Sequence, residues 1–203
     1  MITFEEEKKI YKNTIGVDEV GRGPLAGPVI AVALLANNNF EMKDINDSKK
    51  ISKKNRDFFF KQIINNCDYS IGIASVDEID KLNILHASLL AMKRAVDAFK
   101  LINGTILVDG PHSFDKSKKN IIPKVKGDQQ FPSIAAASIV AKVLRDNLMS
   151  LLAKKFPNYG WEKNAGYGTQ EHLLNIKKFG ITSFHRKSFS PIHKILSLKY
   201  IEH

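Results

Sequence analysis

Residues 28–35 read PVIAVALL, a run without one polar side chain, and no other stretch constrains the fold as much. It reads as a strand so apolar that both of its faces must be covered. The segment before it, 14–20, alternates loosely and reads as a second strand. Between them GRGPLAG at 21–27 carries glycines and a proline, the composition of a turn. The two runs are therefore expected to be neighbouring strands joined by that turn.

The remaining segments supply the cover. Ser52 is a plausible N-cap for a helix from residue 53. Residues 69–76 read as a third strand. Across 76–99 the spacing of Ile84, Leu85, Leu89, Met92, Val96 and Phe99 is helical. Residues 105–108 form a short strand stopped by Asp109-Gly110-Pro111, and 121–125 another, ending at Gly127-Asp128. The longest helix is expected over 133–155, apolar on most of its surface, with one polar stripe of Ser138, Lys142 and Arg145. A Gly/Asn/Tyr/Trp-rich loop follows Pro157, then a short helix from Thr169 and a last one near 191–200. Strands interleaved with helices predict an α/β fold with a mixed central sheet. No repeat or Pro/Gly/Ser-rich linker divides the chain, so 1–203 is expected to be one domain, with a core over 14–155 and a helical part over 156–203.

Composition narrows the function classes. Lys and Arg number 31 against 21 Asp and Glu, a net charge of +10, which favours a polyanionic partner, most simply nucleic acid. Cys67 is the single cysteine, which excludes an internal disulfide and a cysteine-based zinc cluster and fits a reduced compartment. The first residues, MITFEEEKKIYKN, are charged throughout, unlike a secretory signal. No apolar run approaches a membrane span. A cytoplasmic protein without membrane contact, working as a monomer, is the expectation.

Acids at the strand ends carry the chemistry. Asp18 and Glu19 close the first strand, Asp109 a later one, and Asp128 follows the next, each after apolar residues and before glycine or a turn. Any one of them alone is readily a solvated turn residue. Carboxylates converging at one sheet edge would repel and raise one another's pKa, and a hard divalent cation, Mg2+ or Mn2+, resolves that conflict. Adjacent strand residues point to opposite faces, so Asp18 and Glu19 are expected to share a site only if the backbone turns away there. Asp115 and Asp146 are competitors for the place of Asp128, the first in a lysine-rich loop and the second at the polar end of the long helix. The histidines show no metal-ligand spacing, and no Ser or Cys carries a paired-base signature for covalent catalysis.

DEVGRGPLAGPV at 18–29, NDSKKIS at 46–52, LVDG at 107–110, KGD at 126–128, SIAAASIVAKVLRD at 133–146, GYGT at 166–169 and HRKSF at 185–189 resemble ribonuclease HII, in that family's order and over nearly the whole chain. Gly21-Arg22-Gly23, where ribonuclease HIII has a GTG-type turn, favours type HII. The resemblance implies a ribonuclease H-like fold with a C-terminal helical part. It also implies an endoribonuclease that hydrolyses the RNA strand of RNA–DNA hybrids and nicks 5′ to single ribonucleotides in duplex DNA, leaving 3′-hydroxyl and 5′-phosphate, in DNA repair and replication. Two Mg2+ or Mn2+ ions held by Asp18, Glu19, Asp109 and Asp128 are implied, with Asp18 bridging them. Gly21-Arg22-Gly23 matches the turn that reads the ribose 2′-hydroxyl through backbone groups, and Tyr167 the tyrosine that packs on the next sugar. Lys49, Lys50, Ser138, Lys142 and Arg186 are candidate phosphate contacts; Lys142 is equally readable as the partner of a carboxylate on its own helix. His185 reads as a packing or capping residue at least as readily as a catalytic one. A non-catalytic binder of hybrids is the rival, disfavoured by the four acids. A dinucleotide-binding enzyme is disfavoured because Pro24 and Pro28 stand where a helix should open.

Overall fold

The computed structural model describes residues 1–11, 13–36, 40, 52–99 and 104–199. Five strands form one mixed sheet: β1 (Ile15–Val20), β2 (Val29–Ala36), β3 (Cys67–Ala74), β4 (Ile106–Asp109) and β5 (Ile121–Lys124), in the order β3-β2-β1-β4-β5. β1 and β2 are antiparallel neighbours, Ile15 opposite Leu35 and Val20 opposite Ile30, as the glycine turn between them requires. β2 also pairs antiparallel with β3, while β1–β4 and β4–β5 are parallel.

The apolar run 28–35 is covered on both faces. Val29, Ala31 and Ala33 meet Ala87, Ala91 and Val96 of α3 (Val76–Asp97). Val32 and Leu34 meet Ala135–Ala141 of α4 (Pro132–Lys155) and Ile63 of α2 (Lys53–Asn66). Close approach demands glycine at two places. A Cβ on Gly16 would lie 2.1 Å from the Ser133 backbone, and one on Gly72 2.0 Å from the Ala91 carbonyl. α4 thus lies directly on β1, and α3 on β3. Ser52 caps α2 by accepting from Asn55 N–H, and Ser75 with Glu78 forms a capping box on α3. α3 is broken at Asn83 (φ 66°), whose Oδ1 accepts from Leu85 and His86 N–H and restarts the helix.

α1 (Phe4–Ile10) opens the chain, capped reciprocally by Thr3 and Glu6. Its Glu7 is buried and accepts from Ser133 N–H at 3.2 Å, at the start of α4; burial pushes this carboxyl up to about 7. Beyond α4 lie α5 (Trp161–Asn164), α6 (Gln170–Phe179) and α7 (Ser190–Lys199). They pack through Trp161, Ile176 and Ile192 onto Leu25, Met149 and Ala153, so the C-terminal helices share a core with the glycine turn. No helix among the described residues is long and apolar enough to cross a membrane.

Candidate active site

The parallel β1–β4 ladder ends at Val17 opposite Val108, yet β1 runs three residues further, held only by β2 on its other side. The sheet opens there, and Asp18, Glu19 and Asp109 line the resulting cleft of about 440 Å³ with Gly21, Arg22, Gly23, Ser138, Lys142 and Tyr167. The backbone does not turn away at Asp18–Glu19: both stay paired with Val32 and Ala31. What lets neighbours of opposite pleat share a cleft is the missing strand alongside, and the turn begins only at Gly21 (φ +99°).

The carboxylates crowd one another. Burial holds the Asp18 carboxyl well above the usual range, and the charges of Glu19 and Asp109 add to that, against weaker hydrogen bonds from Ser138 and the Glu19 N–H. Burial likewise lifts Glu19 to about 7 despite Arg22, whose Nη1 lies 3.2 Å from Glu19 Oε1. Asp109 Oδ1 accepts from Gly127 N–H at 2.7 Å, with Asp128 N–H at 3.4 Å. Asp128 itself is buried in the 3-10 turn Gly127–Gln129 behind Asp109 and does not line the cleft.

These oxygens suit a hard divalent cation in charge and donor type. Among the described residues no three His, Cys, Asp or Glu side chains already stand as a group that could hold an ion. The fit therefore lies in the crowded charge of these carboxylates.

Of the two competitors for Asp128, Asp115 bonds Ser117 in its own exposed loop. Asp146 accepts from Lys142 Nζ at 2.8 Å and pairs with Arg56 Nη1 at 3.4 Å. Lys142 thus has a carboxylate partner on its own helix and also lines the cleft. Arg56, absent from the expected set, lines it too; a lone arginine on an amphipathic helix carries no local signal of that. Ser138 faces Asp18. Lys49 and Lys50 lie outside the described residues.

Arg186 requires a correction. Its side chain is fully buried and donates to Gly21 O at 2.5 Å, Arg22 O at 2.9 Å and Gly27 O at 2.8 Å, which leaves no face for a phosphate. Arg145 likewise leaves the expected polar stripe: it is buried and donates to Pro28, Ala26 and Ala165 carbonyls at 3.1, 2.9 and 2.9 Å. Burial lowers Arg145 to about 10 and, with the charge of Arg145 adding, Arg186 to about 9; both stay cationic at neutral pH.

The Tyr167 loop has its own support. The half-exposed Tyr167 ring sits against the turn, since a Cβ on Gly23 would meet its Cε1 at 3.3 Å. Leu25 N–H donates to Gly166 O at 2.7 Å. His172 Nδ1–H donates to Tyr167 O at 2.8 Å, and Trp161 Nε1–H donates to His172 Nε2 at 3.1 Å. His185 Nδ1 accepts from Thr182 N–H at 2.9 Å, so its Nε2–H donates to His172 Nε2, 3.1 Å away. This chain of donors needs both rings neutral, and burial with the neighbouring His172 pushes His185 down to about 4. His185 does not line the cleft and packs against the Tyr159 and Trp161 rings.

A mixed sheet opened at its parallel ladder, with buried carboxylates in the opening and a basic rim, is the arrangement that a metal-dependent nuclease of ribonuclease H-like fold would present. The family model described as Ribonuclease HII matches residues 15–192. A ribonuclease HII of Pelagibacter ubique (strain HTCC1062) is 52% identical over 181 residues, 89% of this chain and 97% of that one. Among solved structures, the ribonuclease H2 of Pyrococcus horikoshii OT3 superposes with a TM-score of 0.76 at 22% identity, over 94% of this chain and 99% of that one. Bst-RNase HIII, solved in complex with Mn2+, gives 0.70 at 17% identity over 91% of this chain and 69% of that one. The chain belongs to the ribonuclease HII family. It is a divalent-metal-dependent endoribonuclease of RNA–DNA hybrids.

Proposed function

We propose that this enzyme also nicks duplex DNA 5′ to a single embedded ribonucleotide, leaving 3′-hydroxyl and 5′-phosphate ends, with two divalent cations held by Asp18, Glu19 and Asp109 and by Asp128 behind them. One observation carries the reading: the crowded carboxylates, the glycine turn and Tyr167 line the same cleft. Bound cations supply an activated water and charge for the departing oxygen. The chain's own residues do the selecting. Asp18, buried and facing the charges of both Glu19 and Asp109, would be the central holder of the cations. The Gly21–Gly23 backbone, free of side-chain bulk at both ends, approaches the 2′-hydroxyl, the one group that separates RNA from DNA. Tyr167, packed on Gly23, meets the following sugar and selects against a hydroxyl there. Lys142 and Arg56 on the rim take phosphates, which position the duplex without reading its bases; the excess of lysine and arginine adds long-range attraction.

The test is a DNA duplex holding one ribonucleotide, incubated with Mg2+ or Mn2+ beside a long RNA–DNA hybrid. A single nick 5′ to the ribonucleotide is expected. Cleavage of the hybrid with the single-ribonucleotide duplex left intact under both ions would restrict the enzyme to hybrids.

A further inference from the structure

The carbonyls at the head of the glycine turn face away from the cleft, toward buried guanidinium groups. Arg186 holds Gly21 O and Arg22 O through Nη2 and Nη1, and Gly27 O through Nε and Nη2. Its main chain is tied to the same turn, Arg186 N–H donating to Leu25 O at 2.9 Å. In a trans peptide the C=O and the following N–H point in opposite directions. Fixing Gly21 O and Arg22 O on the guanidinium therefore sends Arg22 N–H and Gly23 N–H the other way, away from the buried guanidinium, in a turn whose three residues line the cleft.

Only arginine can do this. Its donors lie in one planar fork, whereas a lysine offers a single point of charge. The segment 185–189 is itself pinned: Asp80 of α3 accepts from Lys187 N–H, Ser188 N–H and Ser188 Oγ at 3.0, 3.0 and 2.6 Å. Arg145 meanwhile bridges Ala26 O and Pro28 O at the far end of the turn to Ala165 O before the Tyr167 loop. Turn and loop are thus set on one buried frame.

We propose that Arg186 is a positioning residue for sugar recognition: it presents Arg22 N–H and Gly23 N–H to the 2′-hydroxyl and does not contact the nucleic acid itself. This rests on the reading that the turn meets that hydroxyl. A merely structural arginine predicts something different. Its loss would lower the unfolding midpoint and the folded fraction, while every folded molecule would discriminate as the wild type does.

The experiment compares two DNA duplexes that differ by one 2′-hydroxyl, bound in EDTA so that neither is cut. Wild type is expected to favour the ribonucleotide duplex by about fivefold, the contribution of one net hydrogen bond. Folded Arg186→Lys is expected to bind both alike, with affinity for the all-DNA duplex within about twofold of wild type. An unchanged preference in the folded variant overturns the proposal. A wild type with no preference overturns the 2′-hydroxyl reading first, and the proposal with it. Should Arg186→Lys fail to fold, wild-type amide spectra decide. Arg22 and Gly23 N–H resonances should move with the ribonucleotide duplex and stay with the all-DNA one; equal movement with both overturns the proposal.

Discussion

Two buried groups of like charge lie on either side of the Gly21–Gly23 turn, and they are resolved in opposite ways. Arg145 and Arg186 repel each other, and among the described residues neither forms an ion pair. Their charges end on the carbonyls of Gly21, Arg22, Ala26, Gly27, Pro28 and Ala165. That cluster is complete within the chain. Asp18, Glu19 and Asp109 also repel each other, but Asp18 and Glu19 have their carboxyls lifted and face a cleft. On the proposed reading, that cluster is completed from outside by cations. A closed set of charges builds a frame; an open one builds a site for cations.

The sharpest way to break this contrast is Asp18→Asn. Cleavage of a long hybrid should fall below detection, while gel-shift affinity for the duplex survives. Activity persisting at wild-type level, or in excess EDTA, would sink the metal site. The opposite cluster should respond in stability. Arg145→Met leaves three buried carbonyls without their donor and should cost on the order of 3 kcal/mol in urea unfolding. Gly21→Ala sharpens the link between the clusters. Its Cβ would stand 2.3 Å from Arg145 Nε at a φ of +99°, a strain on the order of 1–3 kcal/mol. Both unfolding midpoint and cleavage rate should drop together.

Acidity offers a subtler probe. Glu19 titrates near 7 and Asp18 is raised as well, so protons compete with the cation. At limiting Mn2+ the rate should fall as pH drops through about 7 and recover when more Mn2+ is added. A pH-independent rate between 6 and 8, roughly one unit either side of that value, would show that these carboxyls do not govern cation binding. The smallest effect is expected for Tyr167→Ala. The ring is half exposed, so stability should change by within about 0.5 kcal/mol. Discrimination against a second consecutive ribonucleotide should weaken nonetheless.

Much of this architecture is legible in the chain itself. Local chemistry writes the strands and caps: PVIAVALL, the Ser52 cap and the Asp109-Gly110-Pro111 stop lie where periodicity and turn residues put them, and the helix expected from Thr169 opens one residue later with Thr169 as its cap. α1 also had a signal, the Thr3-x-x-Glu6 capping box, overshadowed by the charge around it. Asp18, Glu19 and Asp109 could be picked out as acids that would line one opening because strand ends collect at one sheet edge; Asp128 lies behind them. The roles of the arginines were not. Charged residues default to the surface, and the carbonyls that accept from Arg186 lie more than 150 residues earlier in the chain. Asp80 is hidden for the same reason, since its acceptor role exists only after α3 and residues 187–188 meet.

The contrast between a complete cluster and an incomplete one is tested most directly by thermal unfolding of wild type and Asp18→Asn, each with and without Mn2+. In the metal-free wild type the raised carboxyls hold protons that the unfolded chain would release. The Glu19 contribution is therefore full below the ordinary carboxylate range and is lost as pH rises through about 7; Asp18 is raised in the same direction. Measured at pH 8, about one unit above that value, Asp18→Asn should melt higher than wild type without metal, because the buried acid that crowds Glu19 and Asp109 is replaced by a neutral amide. Mn2+ should raise the wild-type midpoint and leave that of Asp18→Asn nearly unmoved. A variant that melts lower than wild type without metal, with Mn2+ shifting both proteins equally, would contradict a carboxylate cluster built to be completed by cations.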